Sequence, residues 1–257
     1  MRLVVEERPR CLSVVMPAYN ERDTIAEIVR RVLARPEVGE LVIVEDGSTD
    51  GTWEALEALK DSDARLRLFR QSRNMGKGAA LIRGFAEATL PFVIVQDADF
   101  EYDPEDYPIV LAPLLAGKAD AVYGSRFMST PGQVRYFRHE MGNKFLTFWS
   151  NVFSDIHLSD METCYKAFRR EVIQNLILTS ERFGIEVELT AKLAHARCLR
   201  IWEVPISYAP RRYDAGKKIT WKDGFAALHH ILRFNLFFDA KKAFRRPWEE
   251  IAGAEKI

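Results

Sequence analysis

Asp97 and Asp99 flank a single residue in the stretch QDADFEYD, and Glu101 follows two positions later. In an extended segment such positions lie on one side, so three carboxylates can converge on a hard cation. Without a cation, carboxylates packed together repel and raise one another's pKa. Mg²⁺ or Mn²⁺ takes oxygen ligands and would neutralise the phosphates of a substrate. An isolated Asp-x-Asp reads more simply as a solvated acidic loop or as a cap for a helix after Pro104. This one directly follows the apolar run FVIV, which weighs against that simpler reading. Asp103, Glu105 and Asp106 fit the start of the next helix, where negative charge is favourable.

Two other loops carry chemistry. In EDGSTDGT, Asp46 follows an apolar run, and Gly47, Ser48 and Gly51 permit a tight turn before a helix near Thr52. A carboxylate there can accept hydrogen bonds from a base or a ribose; a turn with a helix cap satisfies the same motif. In RNMGKGAA, Arg73 and Lys77 stand with Gly76 and Gly78 just before a helix, a natural place for an anion. The stretch is not a P-loop, because Gln71 stands where its first glycine should be and Gly78 replaces the hydroxyl residue. Nor does it match GxGxxG, and Lys77 reads equally well as a solvated lysine opening a helix.

These loops need elements to position them. LSVVMP, ELVIVEDGS, RLRLFRQS, PFVIVQDAD and DAVYGSR are short β-branched, apolar runs stopped by polar or turn residues, and they read as strands. Between them RDTIAEIVRRVLA, TWEALEALK, KGAALIRGFAEA and DYPIVLAPLLAG carry helical periodicity, with Asp23 and Thr52 near N-cap positions. The alternation predicts an α/β fold with a mostly parallel, doubly wound sheet. Ligands of such sheets bind beyond the carboxyl ends of the strands, which selects the loops PAYNER, EDGSTDGT, DADFEYD and GSRF. After about residue 128 the rhythm changes to GNKFLTFWSNVF, YKAFRREVIQNL, FGIEVELTAKLAHA and the strand-like LRIWEVPISYA. No repeat or flexible linker interrupts this half, so it is expected to fold back onto the sheet.

Composition bounds the function. The 257 residues carry 37 Lys+Arg against 37 Asp+Glu, a formal net charge of zero, so nothing in the overall balance points to nucleic acid. Cys11, Cys164 and Cys198 lack the spacing of a disulfide framework or a zinc site, which fits a reducing compartment. The N-terminal MRLVVEERPR lacks the pattern of a signal peptide, and no uncharged apolar run is long enough to span a bilayer. The expected location is cytoplasmic, with peripheral contact at the cytoplasmic membrane face left open.

The ordered set VVMPAYNE, VIVEDGSTDGT, RNMGKGAA, QDAD and GSR resembles the family 2 glycosyltransferases with a GT-A fold, and among them polyprenyl-phosphate enzymes of the dolichol-phosphate mannosyltransferase type. The match is ordered over residues 12–128 and looser, through NKF, YKAF and RRYDAGKKI, to residue 220. The resemblance implies a Rossmann-like, mostly parallel sheet flanked by helices, with a C-terminal acceptor-side extension. It divides the chain into a catalytic domain over 1–220 and an amphipathic helix and tail over 221–257. Within the first, 1–128 would bind nucleotide-sugar and metal, and 129–220 the acceptor.

Carried over position by position, the resemblance implies that Pro17, Tyr19, Asn20 and Glu21 line the nucleotide pocket, with Asp46 at the base or ribose and Lys77 and Asp97 at the donor. Asp97, Asp99 and Glu101 would surround Mg²⁺ or Mn²⁺, Glu101 standing where the mannosyltransferase type often has glutamine. Arg126 would reach the phosphates of donor or acceptor. The reaction implied is metal-dependent displacement of a nucleoside diphosphate from the anomeric carbon of a GDP- or UDP-sugar, with inversion. The metal offsets charge developing on the leaving group.

The acceptor remains open between two chemistries. A polyprenyl (dolichyl or undecaprenyl) phosphate is already largely ionised, with a second pKa of about 6, and needs no strong base; a saccharide hydroxyl needs a carboxylate. Arg138, Arg211, Arg212, Lys217 and Lys218 are candidates for an acceptor phosphate. Asp160 and Glu162, or Glu186 or Glu188, are candidates for a base, although each alone also reads as a surface charge or cap. RRYDAGKKI departs from the family's usual arginine, glycine, serine, lysine pattern, with Lys217 where the serine would stand. Phe145, Phe148, Trp149, Val152 and Phe153 recur at helical spacing, and FAALHHILRFNLFF forms a second apolar helix; both read as core, as a homodimer contact or as a membrane-interface surface. His229 and His230 are adjacent and diverge on a helix, which disfavours a shared metal. Two alternatives stand beside this reading: a nucleotidyltransferase, which would need a more basic phosphate loop than RNMGKGAA, and a non-catalytic sugar-nucleotide-binding protein, against which the acid cluster argues.

Overall fold

In the computed structural model, residues 10–128, 136–211, 221–239 and 242–247 are described. Seven strands among them form one sheet: β1 (Leu12–Ala18), β2 (Val38–Glu45), β3 (Leu66–Arg70), β4 (Phe92–Val95), β5 (Ala121–Ser125), β6 (Lys166–Arg169) and β7 (Ile201–Pro205), in the order β3-β2-β1-β4-β6-β5-β7. All pairings are parallel except those of β6, which runs antiparallel between β4 and β5. The α/β, mostly parallel, GT-A-type architecture expected from the sequence is the one observed.

The helices are α1 (Arg22–Leu33), α2 (Thr52–Glu57), α3 (Lys77–Glu87), α4 (Tyr107–Leu115), α5 (Phe137–Ser154), α6 (Arg170–Asn175), α7 (Gly184–His195) and α8 (Trp221–Leu236). Burial on both faces explains why β1 and β2 read as near-continuous apolar runs: Val14, Val15, Met16, Leu41, Val42, Ile43 and Val44 are all fully buried. Helix α1 turns one stripe inward, Ile25, Ile28, Val29 and Val32, at the spacing of helical turns. Helix α3 lies so close to β1 that a Cβ on Gly84 would stand 2.3 Å from Val15 Cγ1, so only glycine fits there.

Three local details are resolved. Asp23 and Thr52 stand within two residues of the N-caps, as expected, but the caps are Glu21 for α1 and Gly51, which adopts φ 96°, for α2. Asp50 bonds to both helix starts, accepting from Thr52 N at 3.0 Å with Oδ1 and from Arg22 N at 3.1 Å with Oδ2. The segment YKAF supplies strand β6, whose short mixed character gives no period-2 signal. The aromatic helix α5 is split: Trp149 and Phe153 stack at 5.7 Å and pack inward with Leu146 against Met161, Val187 and Ile231, whereas Phe145, Phe148 and Val152 are exposed. In α8, Ile231 and Phe234 are core, and Leu236 with Phe237 just beyond it are exposed. Among the described residues no helix is long and apolar enough to cross a membrane.

Candidate active site

At the carboxyl end of β4 the chain leaves the sheet through Gln96, which is fully buried. Its Oε1 accepts from Tyr107 Oη at 2.7 Å and Tyr165 Oη at 2.6 Å, while its Nε2 donates to the carbonyls of Asp97 at 3.1 Å and Tyr102 at 3.4 Å. The acid loop is therefore fixed from beneath before any ligand arrives. Asp99 Oδ1 accepts from Glu101 N at 2.9 Å, closing a tight turn.

The three acids do not converge on one point. Asp97 Oδ1 lies 2.9 Å from Lys77 Nζ, and Asp99 Oδ2 lies 3.0 Å from Arg211 Nη2. Arg211 Nη2 also lies 2.7 Å from Glu21 Oε2. Glu101, expected beside the metal, accepts from the chain with both oxygens: Oε1 from Arg211 N at 2.9 Å and Oε2 from Tyr208 Oη at 3.0 Å. These donors come from the segment after β7, which crosses the loop, with Ala209 N also bonded to Glu101 O at 3.0 Å. Among the described residues no three His, Cys, Asp or Glu side chains are arranged to hold a metal ion by themselves.

Asp97 and Asp99 nonetheless fit a divalent cation completed by phosphate oxygens, since Mg²⁺ is commonly held by one or two carboxylates plus a substrate. Burial, and then the Asp97 charge beside it, pushes Asp99 up to about 7, with Arg211 opposing and Glu101 adding to the rise. Burial also acts to raise Asp97, but the Lys77 ammonium outweighs it and holds that carboxyl below the usual range. The two acids thus differ in their partners, Asp97 pairing with Lys77 and Asp99 sharing Arg211 with Glu21.

The loops after β1, β2 and β3 are laced together. Asn20, at φ 51°, accepts Thr49 N at 3.0 Å and bonds Ser48 Oγ through its own N–H at 2.9 Å; Glu21 N donates to Thr52 Oγ1 at 2.9 Å. Asp46 binds the protein itself, accepting from Gln71 Nε2 at 2.9 Å, Met75 N at 2.7 Å and Gly76 N at 2.8 Å. It thereby ties EDGSTDGT to RNMGKG, and burial raises its pKa against those bonds. Gly47, Ser48, Arg70, Gln71 and Ser72 line an open cleft of about 460 Å³ beside it. Pro17 and Tyr19 stand on or just after β1, at the same edge of the sheet.

On the other side of the acid loop Arg126, just past β5, meets the fully buried Asp160 through Nε at 2.7 Å and Nη2 at 2.8 Å, and through its backbone N–H at 3.0 Å. Asp160 therefore anchors Arg126, both of its oxygens accepting from that one residue. The guanidinium lies 5.2 Å from the ring of Tyr208 and 5.6 Å from that of Phe127. Glu188 is likewise consumed, by Thr179, Ser180 and Lys192. Glu186 pairs with Lys166 and Lys77. Glu162 differs: its Oε1 is buried without a partner, and burial, opposed by Lys166 and aided by Glu186, pushes it up to about 7. Arg138 is exposed on the first turn of α5, and among the described residues no bond joins it to the acid loop. Arg212, Lys217 and Lys218 lie outside the described residues.

Residues that sequence reasoning did not single out are Gln96, Tyr208 and Lys166. Local spacing gives no signal for them, because Tyr208 meets Glu101 across 107 positions.

The family model described as glycosyl transferase family 2 matches residues 13–177. Curated relatives include a dolichol-phosphate mannosyltransferase of Pyrococcus furiosus, 29% identical over 86% of this chain and 63% of its own length. Glycosyltransferase AglJ of Haloferax volcanii is 33% identical over 79% of this chain and 64% of its own length. A polyprenol monophosphomannose synthase of Mycolicibacterium smegmatis is 31% identical over 79% of each. The chain thus spans slightly less than two thirds of the length of the first two. Among solved structures, glucosyl-3-phosphoglycerate synthase of Mycobacterium tuberculosis, crystallised with Mn²⁺, UDP and phosphoglyceric acid, superposes with a TM-score of 0.69. It is 20% identical and covers 90% of this chain and 80% of its own, a likeness of fold.

Proposed function

The chain belongs to glycosyl transferase family 2, and on that premise we propose that it transfers a sugar from a GDP- or UDP-sugar to a polyprenyl phosphate, with inversion. The observation that carries this reading is the pair Asp97 and Asp99 at the end of β4, one paired with Lys77 and the other sharing Arg211 with Glu21. These two residues would hold Mg²⁺ or Mn²⁺, which when bound supplies charge for the leaving diphosphate. The crystallised neighbour with Mn²⁺ and UDP, and the names of the relatives, support donor and acceptor alike.

This chain's own residues then have distinct tasks. Tyr19, Asn20 and Asp46 serve the nucleoside from the loops that hold the cleft lined by Gly47, Ser48 and Gln71, and Lys77 at the start of α3 meets the diphosphate. Arg126, fixed by Asp160, and Arg211 present guanidinium groups to the acceptor phosphate, the geometry that binds such groups best. A phosphate oxygen needs no deprotonation to attack. In this reading residues 1–128 serve the donor, 129–220 the acceptor, and 221–257 are an appended helix and tail. Phe137, Met141, Phe145, Phe148 and Val152, exposed along one side of α5, offer a surface for peripheral contact with a bilayer that holds the acceptor.

A second reading has its own observation. Glu162, whose Oε1 is buried without a hydrogen-bond partner and whose pKa burial raises towards neutrality, is suited to take a proton from a saccharide hydroxyl. A product assay decides: the protein is incubated with GDP- or UDP-sugars and Mn²⁺, and offered a polyprenyl phosphate or a free saccharide. Transfer to lipid supports the first reading and transfer only to the saccharide the second. Unchanged Mn²⁺-dependent turnover in Asp99→Ala would sink both.

A further inference from the structure

Glu186 sits on the first turn of α7 with its carboxylate between two ammonium groups. Oε1 lies 3.4 Å from Lys77 Nζ, and Oε2 pairs with Lys166, whose Nζ also donates to the carbonyl of Thr163. Lys166 is fully buried and Glu186 nearly so. Charges this far from water persist only where geometry satisfies them. Further bonds fix the frame: the Glu186 carbonyl accepts from Thr190 Oγ1 at 2.9 Å, Thr190 meets Tyr123 Oη at 3.1 Å, and the Tyr123 ring lies 5.2 Å from Lys166 Nζ.

The start of α3 is docked against the approach to α7. Ala79 N donates to Glu181 O at 3.0 Å, and a Cβ on Gly78 would stand 2.0 Å from Ser180 O. Lys77 and Glu186 are therefore carried by segments that cannot drift apart, although 109 positions separate them, 186 less 77. Lys77 is a long side chain with many rotamers and two anionic partners, Asp97 at 2.9 Å and Glu186 at 3.4 Å.

We propose that Glu186 is the positioning residue for Lys77: anchored by Lys166, it holds the Lys77 ammonium at the N-terminus of α3, where the donor's diphosphate arrives. This rests on the reading of Lys77 as a donor-binding cation. When cation and diphosphate claim Asp97, Glu186 is the partner left to keep the ammonium in place. With both oxygens committed to lysines, Glu186 does not act as a base.

The test is a double-mutant cycle read by isothermal titration calorimetry with UDP and with GDP, on wild type, Glu186→Gln, Lys77→Met and the pair. Glu186→Gln should weaken diphosphate binding roughly tenfold, the scale of one charge-assisted hydrogen bond. That loss should vanish in the Lys77→Met background. In turnover, Glu186→Gln should raise the donor KM with little change in kcat, and Glu186→Asp should recover part of the loss. Because Glu186→Gln leaves Lys166 without its counter-ion, Glu186→Gln/Lys166→Met removes both charges together, and the same weakening is expected of it. If Lys77→Met binds UDP and GDP as wild type does, the donor reading of Lys77 falls, and the inference with it. If Lys77→Met is weakened but Glu186→Gln is not, or weakens binding equally without Lys77, the inference alone is overturned.

Discussion

Replacing Glu162 by glutamine should abolish a pH dependence of stability that the wild-type protein carries across the acidic to neutral range. Burial first, and the Glu186 charge beside it, lift this carboxyl from 4.5 to about 7 against the pull of Lys166 and Arg126. A group whose folded-state pKa lies above its unfolded value holds its proton more tightly in the native state. Its contribution is therefore complete below the unfolded pKa and is lost as pH rises through the folded one. At about 1.4 kcal/mol for each tenfold step in proton affinity, the displacement from 4.5 to about 7 amounts to about 3 kcal/mol. Glutamine carries no such proton. Urea unfolding of both proteins from about pH 4.5 to about pH 8 gives the difference in stability at each pH, and groups common to both cancel, Asp99 among them. That difference should move by about 3 kcal/mol in favour of the variant as pH rises. Parallel curves would refute the assignment of a raised carboxyl at Glu162, and with it the second acceptor reading.

Asp160→Asn should cost about 3 to 5 kcal/mol in the same unfolding assay, because it leaves the buried Arg126 guanidinium without its counter-ion; a loss below about 1 kcal/mol would contradict the pairing. Gly78→Ala should lower stability by about 1 to 3 kcal/mol, since the added methyl group meets backbone at Ser180, and an unshifted thermal midpoint would count against the close approach of α3 to that segment. Phe145→Ser with Phe148→Ser should leave folding within about 0.5 kcal/mol of wild type yet reduce co-sedimentation with vesicles containing anionic lipid; undiminished sedimentation would remove α5 as the contact surface.

The N-terminal half of the fold was legible because its signals are local. Strands β1, β2, β3, β4 and β5 announce themselves as apolar runs ending in the loops that form the site, and α1 and α3 as periodic stripes. The limits appear where partners are distant. Asp160 and Glu162 are near-equivalent acids in sequence, and only the fold shows that Arg126, 34 positions earlier, claims the first. Glu101 matched the spacing of a ligand, but spacing gives no sign of Tyr208 and Arg211 competing for its oxygens. Strand β6 escaped because its four residues, KAFR, lie against a helix start and run against the sheet's direction. In α5, periodicity located an aromatic face but could not divide Trp149 and Phe153 from Phe145 and Phe148, since all fall within reach of one side of a helix.

The crossing of the acid loop by the segment after β7 has a consequence for the order in which the molecule is made. Arg211 meets Glu21 across 190 positions, so this contact can close only late in synthesis. Until the segment after β7 has emerged, the acid loop lacks the partners that cover it in the finished protein. Glu101 and Asp106 wait for Tyr208 and Ser207. A nascent chain stalled before Ser207 should therefore be cut by protease within residues 97–106, where the finished protein resists, and the appearance of that resistance times the last step of assembly.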